Sequence, residues 1–133
     1  MTEGKIVYIA SPYAGDIERN VEFAKAACLL AMEHGNTPVA AHLLYPQMLD
    51  DMIPEQRELG IKMGLRLLGA CDELWLCGSR ISNGMQEELK AAWQLHIPVR
   101  SIPREMVEEF MQPEPDMGQR TQPMEYMMGA SLC

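Results

Sequence analysis

The stretch KIVYIASPYAGDIERNVEFAKAACLLAMEHGNTPVAAH, residues 5–42, decides the fold. It opens on a short apolar run, Lys5 to Ala10, rich in β-branched residues and closed by Ser-Pro, which fits a buried strand better than a helix. Asp16 follows as a candidate N-cap, and Ile17, Val21, Ala24, Cys28 and Ala31 or Met32 then recur at helical spacing up to Gly35, a natural C′ stop. Thr37 to His42 reads as a second short strand. Strand, helix and strand in close succession require a crossover connection, and so a parallel pair.

The same alternation continues toward the C-terminus. A long connection, LLYPQMLDDMIP, ends at Pro54, which sits where a helix tolerates proline. Leu59, Met63, Leu67 and Ala70 then keep a helical stripe despite Gly60 and Gly64. Asp72 to Gly78 reads as a third strand, ISNGMQEELKAAWQLH (residues 81–96) as a third helix, and Ile97 to Ile102 as a fourth strand. The expected fold is α/β: a flavodoxin- or Rossmann-like three-layer sandwich, with a parallel sheet of four to five strands and helices on both faces. Residues 103–111 can form a short helix, so one domain is expected over 1–111. Residues 112–133, with three prolines and no stable period, read as a flexible or partner-docked tail.

Composition limits the function classes. The chain has 133 residues, 47% of them hydrophobic and 23% charged, enough for one core without metal or disulfide staples. With 19 acidic against 11 basic residues the net charge is −8, which repels nucleic acid and anionic membranes. The four cysteines, Cys28, Cys71, Cys77 and Cys133, show no C-x-x-C spacing, as expected of reduced thiols in a cytoplasmic protein. The N-terminus carries no basic-then-apolar leader, and no apolar window has the length of a membrane span. His34, His42 and His96 are far apart, so neither metal nor cofactor is expected.

In open parallel sheets ligands bind outside the carboxyl ends of the strands. The segments leaving those ends are SPYAGD, HLLYPQ, GSRISNG and SIPRE. The first and third hold small residues that let backbone approach a ligand, making Ser11, Gly15, Ser82, Asn83 and Gly84 candidate contacts. The third also runs into a helix N-terminus, where free N–H groups favour an anion. His42, at the expected end of the second strand, is a further candidate. Helical geometry separates the two adjacent glutamates of the third helix. Glu87 shares a polar face with Lys90 and Gln94, whereas Glu88 shares an apolar face with Met85, Ala91, Ala92 and Leu95. Burial and the helix terminus push the Glu88 acidity in opposite directions, a combination common for carboxylate nucleophiles; helix-start stabilisation is the plainer role.

Taken together, IVYIASPYAG and CDELWLCGSRISNGMQEELKAA resemble the nucleoside 2-deoxyribosyltransferase superfamily, which includes the 2'-deoxynucleoside 5'-phosphate N-hydrolases. YIASPYAGDIERNVEFAK, HLLYPQMLDD and CDELWLCGSRISNGM resemble an uncharacterised bacterial and phage branch of it, over about residues 5–102. The superfamily motif, a small-residue turn running into G-x-x-x-E-L, is met by Gly84, Glu88 and Leu89. The resemblance implies Glu88 as a nucleophile on the anomeric carbon, Tyr8 as the phenol that orients it, and Ser82 as a contact to a 5'-phosphate. It implies cleavage or transfer at the N-glycosidic bond of a nucleoside or its 5'-monophosphate, by a homo-oligomer. One position departs from the pattern: where the superfamily carries an aspartate that assists the leaving base, this chain has Gly64, leaving Glu58, Asp50, Asp51 or His42 as substitutes. Three other readings stand beside this one, among them an interaction module using the methionine-rich residues 112–133. A non-catalytic nucleotide sensor would keep the pocket without turnover. A phosphoribohydrolase of the cytokinin-activating type also places a glutamate after a glycine-rich helix start, but its double glycine and threonine are missing here.

Overall fold

The computed structural model describes residues 4–111. The expected tail, residues 112–133, lies outside them. Four strands, β1 (Ile6–Ala10), β2 (Thr37–Val39), β3 (Glu73–Cys77) and β4 (Val99–Ile102), form one sheet in the order β2-β1-β3-β4. Every pairing is parallel. The helices are α1 (Ile17–Glu33), α2 (Pro54–Leu68), α3 (Asn83–Gln94) and the short α4 (Arg104–Glu108).

Strand alternation divides the core. Val7, Ile9, Trp75, Cys77 and Ile102 face Phe23, Ala27 and Leu30 of α1 and Val107 of α4. Tyr8, Ala10, Leu74 and Leu76 face the opposite way, onto Leu68 of α2 and Met85 and Ala92 of α3. The apolar runs of β1 and β3 are therefore covered on both sides, as parallel sheets require. β1 and β3 are neighbours, and their outgoing connections pass to opposite faces of the sheet. The crevice above this point is where such folds hold ligands.

Local chemistry sets the boundaries. Asp16 caps α1 by accepting from the Arg19 amide at 3.3 Å, and Gly35 follows the helix at φ +80°. Pro54 opens α2 and Ser82 caps α3. β2 is shorter than the expected Thr37–His42, because after Val39 the chain leaves the ladder for a 3-10 turn, Ala41–Leu43, that buries Ala41. A second turn, Tyr45–Gln47, continues the connection to α2. β4 begins at Val99, after Pro98 rather than at Ile97, and α4 ends at Glu108, inside the expected 103–111. Cys28, Cys71 and Cys77 are free thiols, and no helix among the described residues is long and apolar enough to cross a membrane.

Candidate active site

Tyr8 lies in the middle of β1 with 1% of its surface exposed, held between Val39 of β2 and Leu74 of β3. Glu88 lies in the second turn of α3 and is 8% exposed. The Tyr8 hydroxyl donates to Glu88 Oε2 at 2.5 Å. The other carboxylate oxygen, Oε1, is buried without a partner. Burial pushes the Glu88 carboxyl up to about 7, and the Tyr8 hydrogen bond opposes that rise. Burial and the neighbouring carboxylate together push the Tyr8 phenol far above its ordinary range, so it remains a donor. The pair thus combines a fixed phenol with a carboxylate that ionises near neutral pH and has one oxygen uncommitted.

A cavity of about 620 Å³ opens over this pair, within the range of small-molecule sites. Its wall comes from the segments leaving β1, β2 and β3 and from one side of α2. The segment after β1 is held from α1, where the Asn20 side-chain amide donates to the Tyr13 and Ala14 carbonyls at 3.0 Å each. Gly78, at φ +116°, turns the chain out of β3 in a backbone conformation that favours glycine. Ser82 then accepts from the Met85 amide at 3.2 Å, which caps the helix and leaves its O–H free to donate, and with Asn83 and Gly84 it lines the cavity at the helix N-terminus. Arg80 lines the same wall.

Most of the residues singled out in the sequence meet here, with two exceptions. Tyr8, His42, Ser82, Asn83, Gly84 and Glu88 all border the cavity. Ser11 and Gly15 lie outside its wall, which Pro12, Tyr13 and Ala14 form instead. Ser11 is buried with its hydroxyl unpartnered, and Gly15 is exposed at φ +99°. His42 borders the cavity from the 3-10 turn rather than from a strand end. Its ring stands 5.3 Å from that of Tyr13, with Nδ1 buried and unpartnered. Burial holds His42 below the usual histidine range, against the Ser11 carbonyl and the Asp51 charge, which favour the cation. Of the carboxylates considered as substitutes near Gly64, Asp51 borders the cavity, whereas Asp50 and Glu58 do not. Tyr13, Tyr45 and Arg57 line the cavity as well; Tyr13 and Tyr45 lie in SPYAGD and HLLYPQ, where an aromatic residue carries no distinguishing signal, and Arg57 lies on α2, away from the strand ends in sequence.

Gly64 faces the Tyr8–Glu88 pair directly. A Cβ at this position would stand 3.3 Å from the Tyr8 hydroxyl oxygen and 3.7 Å from the Ala41 methyl. Among the described residues no group of three or more His, Cys, Asp or Glu side chains is arranged to hold a metal ion.

Comparison with known proteins agrees with this architecture. A family model described as Domain of unknown function (DUF7768) matches residues 5–102. No curated protein matches the chain. Among solved structures, a 2-deoxyribosyltransferase from the psychrotolerant bacterium Bacillus psychrosaccharolyticus superposes with a TM-score of 0.62 at 17% identity, over 88% of this chain and 90% of that one. The two proteins share the α/β fold over nearly their whole lengths.

Proposed function

The chain belongs to the DUF7768 family, a domain of unknown function, and we propose that it acts on the N-glycosidic bond of a nucleoside or nucleoside 5'-monophosphate through a glycosyl-Glu88 intermediate. This reading places it in the nucleoside 2-deoxyribosyltransferase-like superfamily, in the uncharacterised branch its motifs resemble. The observation that carries it is the buried Tyr8–Glu88 hydrogen bond, which leaves Glu88 Oε1 unpartnered beneath the cavity.

In the proposed mechanism Tyr8 holds Glu88 Oε2, and the free Oε1 attacks C1' of the sugar as the bond to the base breaks. Water, or a second base, then releases the sugar from the glutamate. The N-terminus of α3 and Arg80 suit a 5'-phosphate, since unpaired helix N–H groups and a guanidinium both favour an anion. The base lies toward Tyr13 and His42, whose rings offer stacking surface. We propose a small-molecule substrate, no nucleic-acid or membrane partner, and a homo-oligomer acting in the cytoplasm.

The test is incubation with a panel of nucleosides and their monophosphates, with free base followed by chromatography. Wild type is expected to release base, and Glu88→Gln to lose at least about 10²-fold, since its amide is not a nucleophile. Absence of release from every compound, at high protein and long times, would sink the glycosidase reading. Gly64 beside the pair favours a second reading, a nucleotide sensor without turnover. In that case wild type and Glu88→Gln bind the same nucleotide and neither releases base.

A further inference from the structure

We propose that the preferred substrates are N-glycosides whose base carries a positive charge, such as an N-glycosylated pyridinium or an N7-alkylated purine, because the site expels a neutral base without protonating it. The inference rests on the glycosidase reading above and concerns which base that chemistry accepts.

On the α2 side of the reacting pair the nearest wall is the Gly64 backbone, and a Cβ there would already crowd the Tyr8 hydroxyl. No acid projects from that point. From β1, Tyr8 has its proton committed to Glu88 Oε2. From the turn after β2, His42 is held below its usual range by burial, so near neutral pH its ring is uncharged and a weak proton donor. From the start of α2, Arg57 lies 3.9 Å from Asp51, both well exposed, so this carboxylate is turned toward water and a guanidinium at the rim. Arg80, from the loop after β3, is a permanent cation that does not give up its proton. Glu87, beside Glu88 on α3, is exposed and within 3.9 Å of Lys90. Glu88 itself cannot attack C1' and protonate the base in the same step.

An ordinary purine or pyrimidine leaves as an anion unless it is protonated, and loss of such help typically costs about 10²- to 10⁴-fold. A cationic base needs none. Glu88 Oε1 forms its bond to C1' as the C1'–N bond breaks, and the bonding pair returns to the base nitrogen and cancels its charge. Water then adds to C1', the ester C–O pair returns to the carboxylate, and one proton goes to solvent. Tyr13 and Tyr45 on the cavity wall supply aromatic faces on which a cationic ring can stack.

The full chain is incubated with N7-methylguanosine, nicotinamide riboside and their 5'-phosphates, and with guanosine, deoxyguanosine and their 5'-phosphates. Base release is followed between pH 6 and 9, each rate divided by the spontaneous rate without protein. The expected enhancement is at least about 10²-fold larger for the cationic set at pH 7, is lost in Glu88→Gln, and for nicotinamide riboside, whose pyridinium charge does not titrate, rises once with pH through about 7 with no fall at higher pH. Enhancement of the neutral set equal to or above that of the cationic set, or a descending limb above pH 8 with nicotinamide riboside, would overturn the inference while leaving the glycosidase reading intact. Release from neither set overturns both.

Discussion

Burial pushes the Glu88 carboxyl up, and one neighbour, the Tyr8 hydroxyl, holds that rise in check. Removing the Tyr8 hydroxyl in Tyr8→Phe takes away the one interaction that lowers the Glu88 pKa, so the carboxyl ionises at higher pH than the wild-type value of about 7. A hydrogen bond to a charged group contributes about 1.5–3 kcal/mol, so kcat is expected to fall roughly 10- to 100-fold. The ascending limb of the pH–rate profile should move upward at the same time. A profile that drops in height without moving would mean that the phenol does not act through the Glu88 charge. Glu88 is legible in the sequence from the apolar face it shares with Met85 and Ala92, whereas Tyr8 and its contact with Glu88 are legible only through the family resemblance. Local periodicity does not encode that contact, since it depends on β1 lying beside β3. Ser11 shows the complementary failure: a small polar residue in the right loop reads as a ligand contact, yet it turns inward and Tyr13 takes the wall.

The N-terminus of α3 combines a structural and a proposed binding role in one residue. Ser82→Ala removes the hydroxyl that accepts the Met85 amide, which costs about 0.5–2 kcal/mol when an N-cap is lost. Urea denaturation should register that loss. If the terminus also holds a 5'-phosphate, KM for a monophosphate should rise while KM for the matching nucleoside stays close to wild type; equal changes for both would assign Ser82 to the cap alone. This helix start was readable because Ser-Asn-Gly before an amphipathic run is a strong local signal. The end of β2 was not. Thr37 to His42 has strand-like composition throughout, but Ala41 is small enough to pack opposite Gly64, and burying it there turns the chain out of the sheet.

For the molecule as a whole, Glu88 trades stability for reactivity. Its folded pKa of about 7 lies above the ordinary 4.5, so its contribution is fully present below about 4.5 and is lost as pH rises through about 7. That difference corresponds to about 3 kcal/mol. Glu88→Gln keeps an acceptor for Tyr8 but carries no charge, so it should be more stable than wild type at pH 8 by up to about 3 kcal/mol, with the gap closing toward pH 4.5. Urea titrations of both proteins at the two pH values check this, and an equal gap at both would remove the buried charge as its cause. The same bond has a consequence for how the protein is made. Tyr8 and Glu88 are 80 residues apart, so a ribosome adding about 5–20 residues per second delivers one partner on the order of ten seconds before the other. Until β3 follows, β1 has only the three-residue β2 to pair with, and its other edge stays open. A nascent chain halted before β3 would carry an apolar strand with one edge unpaired and half a pocket, the kind of intermediate a chaperone is suited to cover.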